Sequence, residues 1–92
     1  MTKVLILKSA EKDLRQLPFY ILEKLYSWIE QVEIYGIHEI RKIPGYHDEP
    51  LKGDRKGQRS VRLNKSYRLI YKEKDSEVRI EILIYEVNKH DY

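Results

Sequence analysis

Between Glu49 and Lys72 the chain sets eight cations, Lys52, Arg55, Lys56, Arg59, Arg62, Lys65, Arg68 and Lys72, against two anions, Glu49 and Asp54, a local balance of +6. Ammonium and guanidinium groups at this density fit a partner that carries phosphates. Histidines able to move a proton, His47 and His90, stand just before this stretch and near the end of the chain. With RNA as the partner, such a set needs no metal. The ribose 2′-hydroxyl attacks the neighbouring phosphate, and the protein must remove that proton, neutralise a developing dianion and protonate the departing 5′-oxygen. An imidazole such as that of His90 is suited to proton transfer near neutrality. His47, Asp48 and Glu49 imitate a metal cluster, but three consecutive residues rarely converge on one ion, so no metal site is expected. LKGDRKGQ lacks the spacing and the following helix of a nucleotide-binding loop.

The elements around these residues follow from texture. PLKGDRKGQ has two glycines and only one large apolar side chain, and reads as a loop; SVRL and YRLIYK alternate apolar and polar like half-buried strands. Asn64-Lys65-Ser66 between them is a turn, with an asparagine able to take a left-handed backbone. With Val61, Leu63, Leu69 and Tyr71 facing a core, Ser60, Arg62, Arg68 and Lys72 share the other face. Tyrosines 67, 71, 85 and 92 are either base-stacking groups or half-buried core residues.

Upstream, Lys3 to Lys8 encloses VLIL, which predicts a strand buried on both faces or at the middle of a sheet. Ser9 is placed to cap a helix from about Ala10 to Gln16, and Pro18 to open a second that continues to Tyr35. Leu14, Leu17, Ile21, Leu22, Leu25, Trp28, Ile29 and Val32 recur at spacings of three and four, a core stripe. Gly36 sits where a left-handed cap is expected. Ile37 to Pro50 is ambiguous: Ile37, Ile40 and Ile43 suggest one more helical turn or an irregular segment, which Pro44-Gly45 then breaks. After a turn at Asp75-Ser76-Glu77, Val78 to Val87 alternates, with Val78, Ile80, Ile82 and Ile84 on one face and Arg79, Glu81, Leu83 and Tyr85 on the other. The order strand, helix, helix, strand, strand, strand gives an α+β fold, two N-terminal helices packed on one face of a small sheet whose other face is at least partly open.

Ninety-two residues make a single domain, 1–92, and 41 % hydrophobic with 36 % charged residues is the balance of a folded soluble protein. The absence of cysteine excludes a disulfide framework and a thiolate metal site and suits a reducing cytoplasm, the expected location. VLIL is too short for a signal-peptide core, and no apolar run reaches membrane-spanning length. The net charge of +3 is regional: residues 1–36 hold five basic and five acidic groups, residues 37–74 eleven and five, and residues 75–92 two and five.

The run PLKGDRKGQRSVRLNKSYRLIY, with GYHDE before it and YEVNKHDY at the end, resembles the HigB-like branch of the RelE/ParE toxins, and the resemblance covers nearly all of the chain. It implies a RelE-like fold with a mostly antiparallel sheet, and a bacterial toxin of a type II toxin–antitoxin pair. It also implies an endoribonuclease that cleaves messenger RNA, mostly on the ribosome, without a cofactor, and that is neutralised by a cognate antitoxin. The ParE branch shares the fold and instead inhibits DNA gyrase. That alternative stays open, as does a plain RNA-binding module. The resemblance carries Lys52 and Arg68 onto positions that contact the scissile phosphate, and Asp91 and Tyr92 onto the terminal pair that completes the cleft, with His90 adjacent. His47, Glu49, Arg55, Lys56, Arg59, Arg62 and Lys65 are the accompanying substrate-binding candidates. Two features depart from the pattern. Glu49 stands where a histidine often precedes PLKG, and the chain stops at Tyr92 where a histidine often follows Asp-Tyr. Either His47 and His90 therefore substitute, or the acid–base roles fall to Glu49, Asp91 and Tyr92, or catalysis is weak.

Overall fold

The apolar run near the start of the chain forms β1, Thr2–Ile6, and the computed structural model describes residues 2–89. Two helices follow, α1 (Lys8–Leu14) and α2 (Phe19–Tyr35), with Pro18 immediately before the second, where its missing N–H has no helical partner to lose. Gly36 takes a φ of +87° and turns the chain into the short α3, Ile37–Ile40, as a residue without a Cβ can. The remaining strands are β2 (Glu49–Pro50), β3 (Arg59–Arg62), β4 (Tyr67–Asp75) and β5 (Ile80–Lys89). They form one sheet in the order β1-β5-β4-β3-β2, parallel between β1 and β5 and antiparallel elsewhere. The α+β architecture read from the sequence holds; of the two readings open for Ile37 to Pro50, the extra helical turn is present as α3, and β2 is added at the end of that segment.

Ile21, Leu25, Trp28 and Val32 of α2 are fully buried with Val61, Leu69, Tyr71, Ile82 and Ile84 of the sheet, and the Trp28 and Tyr71 rings meet at 5.5 Å between centroids. Burying each such side chain contributes about 1.5–3 kcal/mol, so this single layer of helix on sheet is what holds the domain. Leu22, counted in the stripe, instead lines a shallow groove with Phe19 and Tyr26 on the outer side of α2.

Three expectations change. β1 lies at the sheet edge rather than its middle; α2 shields it, because Glu33 Oε2 accepts the Val4 N–H at 3.0 Å and so blocks an edge that would otherwise pair with another chain. Val78 is 86 % exposed and precedes β5, so the alternation was followed two residues too far upstream. Ser9 lies inside α1, after the boundary residue Leu7, and its hydroxyl donates to the Tyr85 carbonyl at 2.6 Å.

That last contact belongs to a bulge. Ile70 pairs with Glu86 but Tyr71 with Ile84, which leaves Tyr85 as an extra residue in β5 and lets both Ile84 and Val87 face the core. The irregular backbone is served by α1: Asp13 Oδ2 accepts the Val87 N–H at 3.0 Å, and the Leu7 N–H donates to the Ile84 carbonyl at 3.0 Å. Among the described residues no helix is long and apolar enough to cross a membrane.

Candidate functional site

On the face away from the helices, β2, β3 and β4 form one wall of a cleft of about 240 Å³ lined by His47, Glu49, Pro50, Leu51, Ser60, Arg62, Tyr67 and Arg68. The period of two puts Ser60 and Arg62 on this face and Val61 in the core. Arg62 and Arg68 are register partners across β3 and β4, so two guanidinium groups stand opposite one another on adjacent strands. Arg68 is half-buried, and its Nε is enclosed without a hydrogen-bond partner. A cation placed so costs folding energy that a bound anion would return. The turn that joins the strands is held by Asn64, whose Oδ1 accepts the Ser66 and Tyr67 N–H groups at 2.7 and 2.8 Å. Asn64 thus shapes the turn with its side chain, not with a left-handed backbone.

His47 is the one described non-glycine residue with positive φ, at +43°. What holds it there is its neighbour. The Asp48 side chain is 1 % exposed, with Oδ2 accepting the Tyr71 hydroxyl proton at 2.7 Å and Oδ1 paired to Arg59 Nε. Arg59 Nη2 also donates to the Asp48 carbonyl at 3.3 Å, and Arg41 donates to the Tyr71 hydroxyl and to Glu73, each at 3.0 Å. Burial first, then the Asp48 carboxylate, pushes the Tyr71 phenol far above its ordinary range, while Arg41 opposes both; Tyr71 is therefore a fixed donor. The anchored Asp48 turns inward and leaves His47 and Glu49, on either side of it, at the cleft.

Of the residues singled out in the sequence, His47, Glu49, Arg62 and Arg68 are thus brought together. Lys52 is exposed and follows the cleft-lining Leu51. Lys65 lines a neighbouring groove, and Lys56 is exposed in the loop. Arg55 and Arg59 are engaged elsewhere. Arg55 pairs with Glu86 and pins the loop over fully buried Ile70, which the register sets between Ser60 and Glu86. Arg59 shares the core-side parity of Val61 and belongs to the Asp48 network, a placement the alternation already contained. His90, Asp91 and Tyr92 lie outside the described residues; the last two described positions, Asn88 and Lys89, pair with Arg68 and Tyr67. Sequence reasoning missed Asp48 as an anchor, since one aspartate among charged neighbours has no periodic signature, and it placed Ser60 and Tyr67 near the site without assigning them to it. Among the described residues no group of three or more His, Cys, Asp or Glu side chains is arranged to hold a metal ion.

The family model of the RelE-like toxin of the type II toxin–antitoxin system HigB matches residues 6–85. Comparison with curated proteins finds no match. Among solved structures, a YoeB/ParE toxin from Agrobacterium tumefaciens is similar at 21 % identity and a TM-score of 0.70, over 97 % of this chain and 99 % of that one. YafQ from E. coli is similar at 18 % identity and a TM-score of 0.71, over 98 % and 94 %. A YoeB-YefM complex from Staphylococcus aureus is similar at 20 % identity and a TM-score of 0.71, over 99 % of both chains. At these identities the structures speak for the fold, and the family model, which spans most of the chain, speaks for kinship. The chain belongs to the HigB-like, RelE-related toxins of type II toxin–antitoxin systems.

Proposed function

We propose that this toxin is a metal-independent endoribonuclease that cuts messenger RNA in the cleft between His47 and Arg68. The observation that carries the reading is the Arg62 and Arg68 pair, two like charges opposite one another with His47 and Glu49 alongside. Like charges at facing positions weaken a sheet, whereas a phosphodiester passing through a dianion is stabilised by them. In this reading Arg68 and Arg62 hold the scissile phosphate, and exposed Lys52 adds positive charge beside the cleft. Either Glu49 or His47 takes the 2′-hydroxyl proton; the O2′–P bond forms, the P–O5′ bond breaks, and a second group returns a proton to the 5′-oxygen, leaving a cyclic phosphate. His90, Asp91 and Tyr92 remain the further candidates that the family pattern supplies.

A cleft of about 240 Å³ encloses little of an RNA chain, so the ribosome would supply the orientation, in the cytoplasm where messenger RNA is translated. The neutralising partner would be a cognate antitoxin whose acidic segment covers the cationic cleft. The test is mapping of transcript ends after expression of the toxin. Cuts within coding regions are expected; intact transcripts with double-strand DNA breaks would replace this reading with inhibition of gyrase.

A further inference from the structure

Arg62 lines two depressions. Beyond the cleft it also forms part of the wall of a groove of about 410 Å³ between α2 and the turn joining β3 to β4. Lys24 and Lys65 flank this groove, buried Leu63 and exposed Ile43 give it an apolar lining, and Tyr46 stands at its side with its hydroxyl donated to Gln31 Oε1 at 3.0 Å. The Lys24 ammonium lies 5.4 Å from the centre of the Tyr46 ring. Lys24, Arg62 and Lys65 give the lining three cations, and none of the described residues lining it is a carboxylate. The groove falls within the roughly 300–1,000 Å³ of small-ligand sites, and an apolar lining flanked by cations suits a base together with its phosphate.

We propose that this groove is a second RNA subsite, holding a nucleotide of the substrate strand that flanks the bond cut in the cleft. The inference rests on the ribonuclease reading and extends it by an address for the strand. The shared Arg62 selects the occupant: a chain that passes Arg62 out of the cleft, where Glu49 is the one carboxylate among the described lining residues, meets none in the groove that holds Lys24 and Lys65. Both lysines are exposed, so exchanging them leaves the core intact.

The test is equilibrium binding of an uncleavable 2′-O-methyl hexanucleotide across a range of salt, to the wild type, Arg68→Ala, and the doubles Lys24→Ser with Lys65→Ser and Lys24→Arg with Lys65→Arg. The serine double should bind about ten-fold more weakly, as loss of base and phosphate contacts implies, with a shallower dependence on log salt. The arginine double should bind like the wild type. Undiminished binding by the serine double, with Arg68→Ala weakened, would confine RNA to the cleft and overturn the subsite. The same result accompanied by weaker binding of that double to ribosomes would assign the groove to ribosomal RNA and overturn it equally. A wild type that binds no hexanucleotide, and cuts no transcript in the experiment above, would remove the ribonuclease reading and the subsite with it.

Discussion

Tyr71 and Asp48, separated by 23 positions in the sequence, are joined by a hydrogen bond of 2.7 Å that ties the middle of the sheet to the segment bearing His47 and Glu49. Arg59 and Arg41 attend the same carboxylate, the first through Nε and the second at 3.8 Å. The arrangement makes Asp48 a positioning residue: its side chain is almost wholly buried, and it anchors the backbone that carries the two residues next to it.

Asp48→Ala should therefore destabilise the fold by about 3–5 kcal/mol, because it leaves the largely enclosed Arg59 guanidinium without its counter-charge and the Tyr71 hydroxyl without its acceptor, while Arg41 keeps Glu73. Tyr71→Phe should cost about 1–3 kcal/mol through the unsatisfied Asp48 and Arg41 groups. Urea unfolding measures both; an Asp48→Ala midpoint equal to wild type would mean the network adds nothing to the fold. The phenols also set an alkaline limit. Burial raises both Tyr71 and Tyr46 from their ordinary 10.0, so the unfolded chain releases these protons first and stability falls as pH rises above that value. Tyr71→Phe should flatten part of that fall.

Arg68→Ala should separate activity from stability. Removing one of two facing cations, whose Nε has no hydrogen-bond partner, should leave the folding free energy unchanged or raise it by about 0.2–1 kcal/mol. Cleavage should fall by about 10²–10³, the loss seen when one donor to a developing oxyanion is deleted. Thermal unfolding and growth inhibition read the two effects independently, and a stable Arg68→Ala protein that remains toxic would count heavily against the cleft.

Substitution at His47 tests the chemistry without disturbing the backbone. Glycine accepts a φ of +43° freely, so His47→Gly should stay within about 1 kcal/mol of wild type. His47→Val, forced into the same left-handed region, should lose about 1–2 kcal/mol. If the imidazole moves a proton in the reaction, both variants lose cleavage to the same extent although they differ in stability. A His47→Gly protein that retains the wild-type rate of cleavage would move the role away from His47, to Glu49 or to the terminal residues His90, Asp91 and Tyr92.

What the sequence determined by itself is everything that repeats. The spacing of Ile21, Leu25, Trp28 and Val32 set α2 and its buried face, and the alternation through Ser60 to Lys72 set which arginines face away from the core. Local periodicity suffices there because one side of each element must leave water, and only one register permits it. The family pattern in PLKGDRKGQRSVRLNKSYRLIY supplied the kinship. Tertiary structure alone decided the contacts between residues far apart in the chain. It sent Arg55 to Glu86 and Arg59 to Asp48, so that neither lines the cleft, and used Asp13 and Ser9 to seat the bulge at Tyr85. It put β1 at an edge guarded by Glu33, and gave Arg62 a share of both the cleft and the groove beside it. A charged side chain carries no periodic mark of its partner. Which carboxylate it meets depends on how strands and loops are stacked in space, and that is settled only when the core has closed.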